Sequence, residues 1–240
     1  MRRRHMAVIG AAVVLLGLVM LARPDRGAGR DAVRPDPGVP ATAEQVAAFE
    51  ALLRREERAM FNMLVYGDMH EFPTIYYNDP TVELPESFDW VVRRVGMEAI
   101  GAALAGLAPG PRGAETGILS ARVALGIERQ RQLDAWKQAQ AKAAAEGRHP
   151  TAADLPEGVE PPANPLSPTE WVDVQFDVFD VSIQGDLATA KLAYGSRTQS
   201  EVIDVYTFTR VDEQWYISGV ETIRNPYALA PLPTRHLPTR

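Results

Sequence analysis

Residues 201–221 read EVIDVYTFTRVDEQWYISGVE. Two runs rich in Val, Ile, Tyr, Phe and Thr, residues that suit a pleated and half-buried surface, flank Val211-Asp212-Glu213-Gln214. The pattern predicts an antiparallel hairpin with a tight turn. Ile203, Val205, Thr207 and Val211 share one parity, and Val202, Tyr206 and Phe208 share the other. Because alternate residues point to opposite faces, both faces of this hairpin carry apolar groups. One face is expected to cover helices, and the other to meet an insertion, a dimer mate or a pocket.

The stretch before it is also β. In WVDVQFDVFDVSI (171–183), Val172, Val174, Phe176 and Val178 share a face, and Phe179, Val181 and Ile183 continue on the opposite parity. A face switch inside one strand is what a β-bulge produces, and bulges bend sheets. Gly185-Asp186 then turns the chain into LATAKLAYG, and Asn225-Pro226 ends the sheet. Residues 227–240 are punctuated by Pro and read as a disordered tail.

Helices precede the strands. Thr42 followed three residues later by Gln45 is a capping-box pattern, and Val46, Phe49, Leu53, Met60 and Leu64 follow at helical spacing up to a stop at Gly67. Prolines 73, 80 and 85 keep the next stretch out of long regular structure, leaving a helical turn and a short strand near 81–84. One helix is predicted from Phe88 to Leu107, with Trp90, Val91, Val95, Ile100 and Leu104 as its apolar positions. Residues 117–146 form a long helix whose first half is broadly apolar and whose second half is Gln, Arg, Lys and Ala. Its Leu133 and Trp136 are candidate partner contacts; the plainer reading is a solvated surface helix. Residues 147–168 are too long and Pro-rich for an ordinary connection, so 109–168 read as an insertion with a long helix.

The N-terminus bears on location. MRRRH is followed at 6–22 by MAVIGAAVVLLGLVMLA, which has no charged group. Its nine Val, Ile and Leu residues contribute roughly −3 to −5 kcal/mol towards membrane insertion. Cleavage after Ala22 would place Met20 where a small residue is wanted and Arg23-Pro24 just beyond the bond. That context favours an uncleaved transmembrane anchor, with secretion after signal cleavage as the alternative. Arg2, Arg3 and Arg4 favour an N-in orientation with the remainder outside the cytoplasm. Residues 23–41 read as a flexible Pro/Gly/charged linker.

Composition excludes several classes of function. A net charge of −6 argues against nucleic acid as a main partner, which would need a concentrated basic face. Without Cys there is no thiol nucleophile, disulfide or thiolate metal site, and four scattered His residues make no imidazole cluster. No metal and no cofactor is expected.

The ending VYTFTRVDEQWYISGVE resembles the last two strands of the nuclear transport factor 2-like superfamily, which commonly closes on a Tyr/Phe-x-Phe-x-Arg strand, a tight turn and a Trp-x-Ile strand. The matching positions are Tyr206, Phe208, Arg210, Trp215 and Ile217. The capped helix at 42–66 and the following YYNDPTVEL are similar to that family's opening. The resemblance covers roughly 42–108 and 169–224 and leaves 109–168 unexplained. It implies an α+β, cystatin-like cone over residues 42–226: helices packed on a strongly bent antiparallel sheet, with a cavity at the open end. That family includes SnoaL-like cyclases and ketosteroid isomerase beside many domains that only bind or assemble.

The expected role is therefore a non-enzymatic binding or assembly domain, anchored through residues 6–22, with a cavity for a small apolar ligand or a protein partner. Tyr66, Tyr76, Tyr77, Phe176, Phe208 and Trp215 are expected to line that cavity. The alternatives are a membrane-tethered isomerase or dehydratase, and a dimeric scaffold pairing through the sheet and recruiting partners with the 117–146 helix. An enzyme would need a desolvated acid or base beside an oxyanion donor. The candidates are Asp204, mid-strand on the parity of Tyr206, then Asp177, Tyr206 itself and His70.

Overall fold

The computed structural model describes residues 39–156 and 173–227. The anchor segment 6–22, most of the 23–41 linker and the 228–240 tail lie outside the described residues. Among those described, no helix is long and apolar enough to cross a membrane. The fold is α+β. Strand β1 (Val39–Pro40) leads into helix α1 (Ala43–Tyr66), followed by α2 (Glu86–Val95), α3 (Met97–Gly106) and α4 (Ile118–Ala145). Strands β2 (Phe176–Gln184), β3 (Leu187–Tyr194), β4 (Val202–Val211) and β5 (Gln214–Arg224) complete an antiparallel sheet in the order β1-β2-β3-β4-β5.

Helix α1 begins where its chemistry says it should. The Thr42 side chain accepts from the Gln45 N–H at 3.3 Å, and the Gln45 side chain accepts from the Thr42 N–H at 2.9 Å. Two of the donors that a helix start leaves unpaired are thereby satisfied. It ends at Gly67 with φ 73°, the left-handed conformation that glycine adopts without steric cost.

The sheet is irregular at two points. In β2 the register shifts between Phe179 and Ser182, with Asp180 at φ 50°. Phe176 and Val178 pack on the main core before the shift, Val181 and Ile183 after it, and Phe179 falls on the opposite face. The parity change in the sequence is thus a bulge. A second shift, opposite Thr207/Phe208 in β5, leaves Ser218 unpaired in the ladder. The β4–β5 turn closes between Val211 and Gln214, with Asp212 and Glu213 both at positive φ (49° and 64°). Those angles match the two-residue hairpin turns that follow the natural twist of the strands.

One face of the sheet lies on the helices. Ala188, Ala190, Leu192, Tyr206, Phe208 and Ile217 join Phe49, Leu53, Val91, Ile100, Ile118 and Val123 in a single core. The opposite face carries a smaller cluster of Phe179, Ala193 and Ile203, packed with Ile223. At this end the chain covers the cluster itself. The Arg197 guanidinium sits 3.9 Å over the Phe179 ring, and Tyr227 meets that ring edge-on. Asn225 donates to the Arg197 and Ser200 carbonyls at 2.6 and 2.7 Å, tying the β3–β4 loop to the chain after β5.

Several expectations need correction. The helix predicted over 88–107 is two helices broken at Gly96, whose φ of 87° no helix contains. Trp90 is not a core position: it is 54% exposed, with the Arg94 guanidinium over its ring. No strand forms at 81–84; instead Tyr76 bridges Ile217 and Asn78 bridges Gly113. Val39 and Pro40, read as the end of the linker, pair with Ile183 and Ser182. The long helix is no appendage, because Ile118, Leu119, Ala121, Val123 and Ala124 are buried in the main core. Leu133 and Trp136 are half-buried rather than presented to solvent, and Leu133 lies close to Gly67.

Candidate functional site

Helix α1 crosses the inner face of the sheet, and the seam changes character along its length. Near the helix start, Phe49 packs 4.6 Å from Phe208 and 5.3 Å from Trp215, ring to ring. Two turns later the same apolar stripe of α1 presents Glu56, which is 3% exposed. Across from it, β4 presents Tyr206 and Asp204, two residues apart on one face. Asp204 pairs with the core residue Leu192 on one side and with Thr222 on the other. Tyr194 and Phe176, themselves a cross-strand pair, extend this row towards the sheet edge.

Glu56 is held by three donors. The Tyr76 hydroxyl donates to Oε1 at 2.8 Å, Arg122 of α4 donates to the same oxygen at 3.0 Å, and the Tyr206 hydroxyl reaches Oε2 at 3.4 Å. Arg122 also lies 5.4 Å over the rings of Tyr76 and Phe88. Burial works most strongly against its charge, but Tyr76, Glu56, Tyr206 and Tyr194 together raise the guanidinium above its ordinary value. Among the described residues its buried Nε atom has no hydrogen-bond partner. Such a pair is costly to desolvate and far more costly to break, because the remaining partner would be a lone buried charge.

The neighbouring carboxyls are not neutralised in this way. Glu57 is pushed up to about 7, first by burial and then by Glu56, with a hydrogen bond from Tyr194 opposing the rise in part. Asp204 is also raised by burial, although Thr222 donates to it at 2.6 Å. Neither has an ion-pair partner among the described residues. Burial and the adjacent carboxyls push the hydroxyls of Tyr194 and Tyr206 well above the ordinary phenol range. Chemically, this end of the seam offers one carboxyl, Glu57, pushed up to about 7, and a second, Asp204, raised by burial, with tyrosine walls around them.

Of the four candidate catalytic residues, the structure brings Asp204 and Tyr206 together. Asp177 faces the other way, 3.7 Å from Arg197. His70 is exposed on a turn, where its N–H is bonded to Asp68. Among the expected cavity residues, Tyr76 and Phe176 belong to the polar end, Phe176 lying under the Arg54 guanidinium at 4.5 Å. Phe208 and Trp215 pack against Phe49 and line no polar site. Tyr77 sits against Tyr216, and Tyr66 is 54% exposed beside Phe61. Sequence reasoning missed Glu56, Glu57, Arg122 and Tyr194. A signal existed for Glu56: it interrupts the series Phe49, Leu52, Leu53, Ala59, Met63 at helical spacing.

A separate depression of about 450 Å³ lies between α3 and the following loop, with Met97, Gly101, Leu104 and Arg112 in its wall and none of the cluster residues. Among the described residues, no group of three acidic or imidazole side chains is placed to hold a metal ion. No protein-family model, curated protein or solved structure matches the chain.

Proposed function

We propose that the chain is a membrane-anchored, extracytoplasmic binding domain of the nuclear transport factor 2-like type. On this reading residues 6–22 anchor it, and a small, largely apolar ligand bearing a hydroxyl or amine group occupies the polar end of the helix–sheet seam. The observation that carries the reading is the buried Glu56 held by the Tyr76 and Tyr206 hydroxyls and Arg122 inside the seam, with the carboxyls of Glu57 and Asp204 raised by burial near it and outside any ion pair among the described residues. Carboxyls that are desolvated and only partly compensated cost stability, and a ligand donor would complete them. The element order supports the family: a capped helix, then short helices, then a bulged antiparallel meander closing on Tyr206, Phe208, Arg210, Trp215 and Ile217.

The isomerase or dehydratase reading has one specific feature in its favour, a Glu57 carboxyl that burial pushes up to about 7, with the Tyr194 hydroxyl bonded to it. It ranks second because the hydroxyls best placed to stabilise an oxyanion are engaged. Tyr76 and Tyr206 both donate to Glu56, and Asp204 is occupied by Thr222.

The test is native mass spectrometry of the full chain, released from its own membranes in mild detergent. A bound small molecule lost from both Glu57→Gln and Asp204→Asn, with wild-type folding retained, is the expected result. An empty wild-type protein, or a ligand equally retained by both variants, overturns the proposal. Recovery of the full chain in the soluble fraction overturns the anchoring.

A further inference from the structure

We propose that the ligand of the seam presents a neutral hydroxyl group between Arg122 and Glu56, accepting from the guanidinium Nε–H and donating to the carboxylate Oε2. The inference rests on the binding reading above and names the chemistry of the ligand's polar group. The Arg122 side chain of α4 is 12% exposed, and its Nη2 donates to Glu56 Oε1 at 3.0 Å. Its Nε–H is buried and has no partner among the described residues. In the planar guanidinium fork the Nε–H and Nη2–H donors point from one edge, so the unmet donor faces the side on which Glu56 lies.

The carboxylate is satisfied unevenly. Oε1 accepts from the Tyr76 hydroxyl at 2.8 Å as well as from Arg122. Oε2 has the Tyr206 hydroxyl at 3.4 Å, beyond the roughly 2.5–3.0 Å of an ordinary O–H···O bond. The rings of Tyr76 and Phe88 lie 5.4 Å from the guanidinium carbon and attract the cation, but a ring face does not replace an oxygen acceptor. A donor without an acceptor and an acceptor with a distant donor thus flank one hydrogen bond. An unpaired donor in a poorly solvated site costs more than a formed bond returns, so the site favours whatever completes both.

The polar groups of small ligands answer this arrangement differently. An alkylammonium has donors and no lone pair, so it cannot accept from Nε–H, and it sets a second cation beside the guanidinium. A carboxylate accepts, but it brings like charge against Glu56. A ketone oxygen accepts from Nε–H and gives nothing to Oε2. A hydroxyl does both with one oxygen, and it adds no charge to a buried ion pair whose charges already cancel. The ligand class is therefore an alcohol rather than an amine.

The experiment follows the arginine Nε–H resonances of the full chain in mild detergent, with isotope-labelled arginine and an Arg122→Lys variant to assign the signal. The probes are cyclohexanol, cyclohexylamine and cyclohexanone, one ring with three polar groups. Cyclohexanol should move the Arg122 Nε–H signal and bind at least about tenfold more tightly than either of the others, a preference that Arg122→Lys loses. Equal or tighter binding of cyclohexylamine, a signal that no probe moves, or a signal held by a bound water throughout the titration overturns the inference. Should Arg122→Lys fail to fold, Tyr206→Phe decides. The preference for cyclohexanol should survive that change, because Oε2 remains to accept from the hydroxyl; its loss assigns the hydroxyl to Tyr206 and overturns the bridge. A co-purified molecule lost from both Glu57→Gln and Asp204→Asn, beside an Nε–H that cyclohexanol leaves unmoved, keeps the binding reading and removes this inference alone.

Discussion

The two ends of the α1–sheet seam use the same elements and opposite physics. At one end Phe49, Phe208 and Trp215 exclude water and gain by packing alone. At the other, about two turns along the helix, Glu56, Tyr76, Arg122 and Tyr206 satisfy one another while Glu57 and Asp204 remain protonatable. The rings packed at the dry end carry no titratable group, and their burial contributes stability. The polar end costs stability that an all-apolar packing would not, and in return it holds groups with chemistry. A core that is uniformly buried is therefore not uniformly committed to folding.

The contrast can be broken most severely on either side of it. Phe208→Ala should cost about 3–5 kcal/mol through the cavity it leaves, equally at pH 5 and pH 8, in denaturant unfolding of the full chain. Arg122→Met should cost a similar roughly 3–5 kcal/mol near neutral pH, because Glu56 is left without its cation. The double variant Arg122→Met/Glu56→Gln should recover part of that loss; if it does not, the pair contributes by packing rather than by charge compensation.

Glu57→Gln comes next. Raising a carboxyl from 4.5 to about 7 corresponds, at ~1.4 kcal/mol per pH unit, to roughly 3 kcal/mol withdrawn from the wild type above pH 7. The variant should match the wild type near pH 5 to within about 1 kcal/mol and exceed it at pH 8, as read from the denaturation midpoint. Thr42→Ala should cost about 1 kcal/mol by removing the cap at the dry end, with no change in the pH profile. His70→Ala should fall within about 0.5 kcal/mol of wild type, since the side chain is exposed and belongs to neither end.

The ends of α1, the β4–β5 turn and the bulge in β2 were legible because each depends on residues close in the chain. A capping box spans four positions, a hairpin turn four, and a parity switch shows in adjacent residues. The same locality misled where tertiary packing decides. Apolar spacing over 88–107 reads as one helix, with Trp90 among its apolar positions, although Gly96 breaks the helix and Trp90 lies outside the core. The α4 segment read as part of an insertion because a long Pro-rich stretch follows it and the resemblance does not cover it, yet its apolar first half is buried in the main core. The site was legible in fragments only. Asp204 and Tyr206 share a strand parity, and both belong to the cluster. Glu56, Glu57, Arg122 and Tyr194 reach it from separate elements, and no spacing in the chain joins residues 56, 122 and 206.

Sequence alone determined the capped helix α1, the four long strands, the bulge in β2, the β4–β5 turn, and that both faces of the sheet carry apolar side chains. Short-range sterics, hydrogen-bond valence and periodicity are local, so a linear reading captures them. Which charges become buried neighbours was decided by the tertiary structure. Desolvation and Coulomb interactions depend on distance in space, and only the folded chain brings α1, α4 and β4 to the same few ångströms.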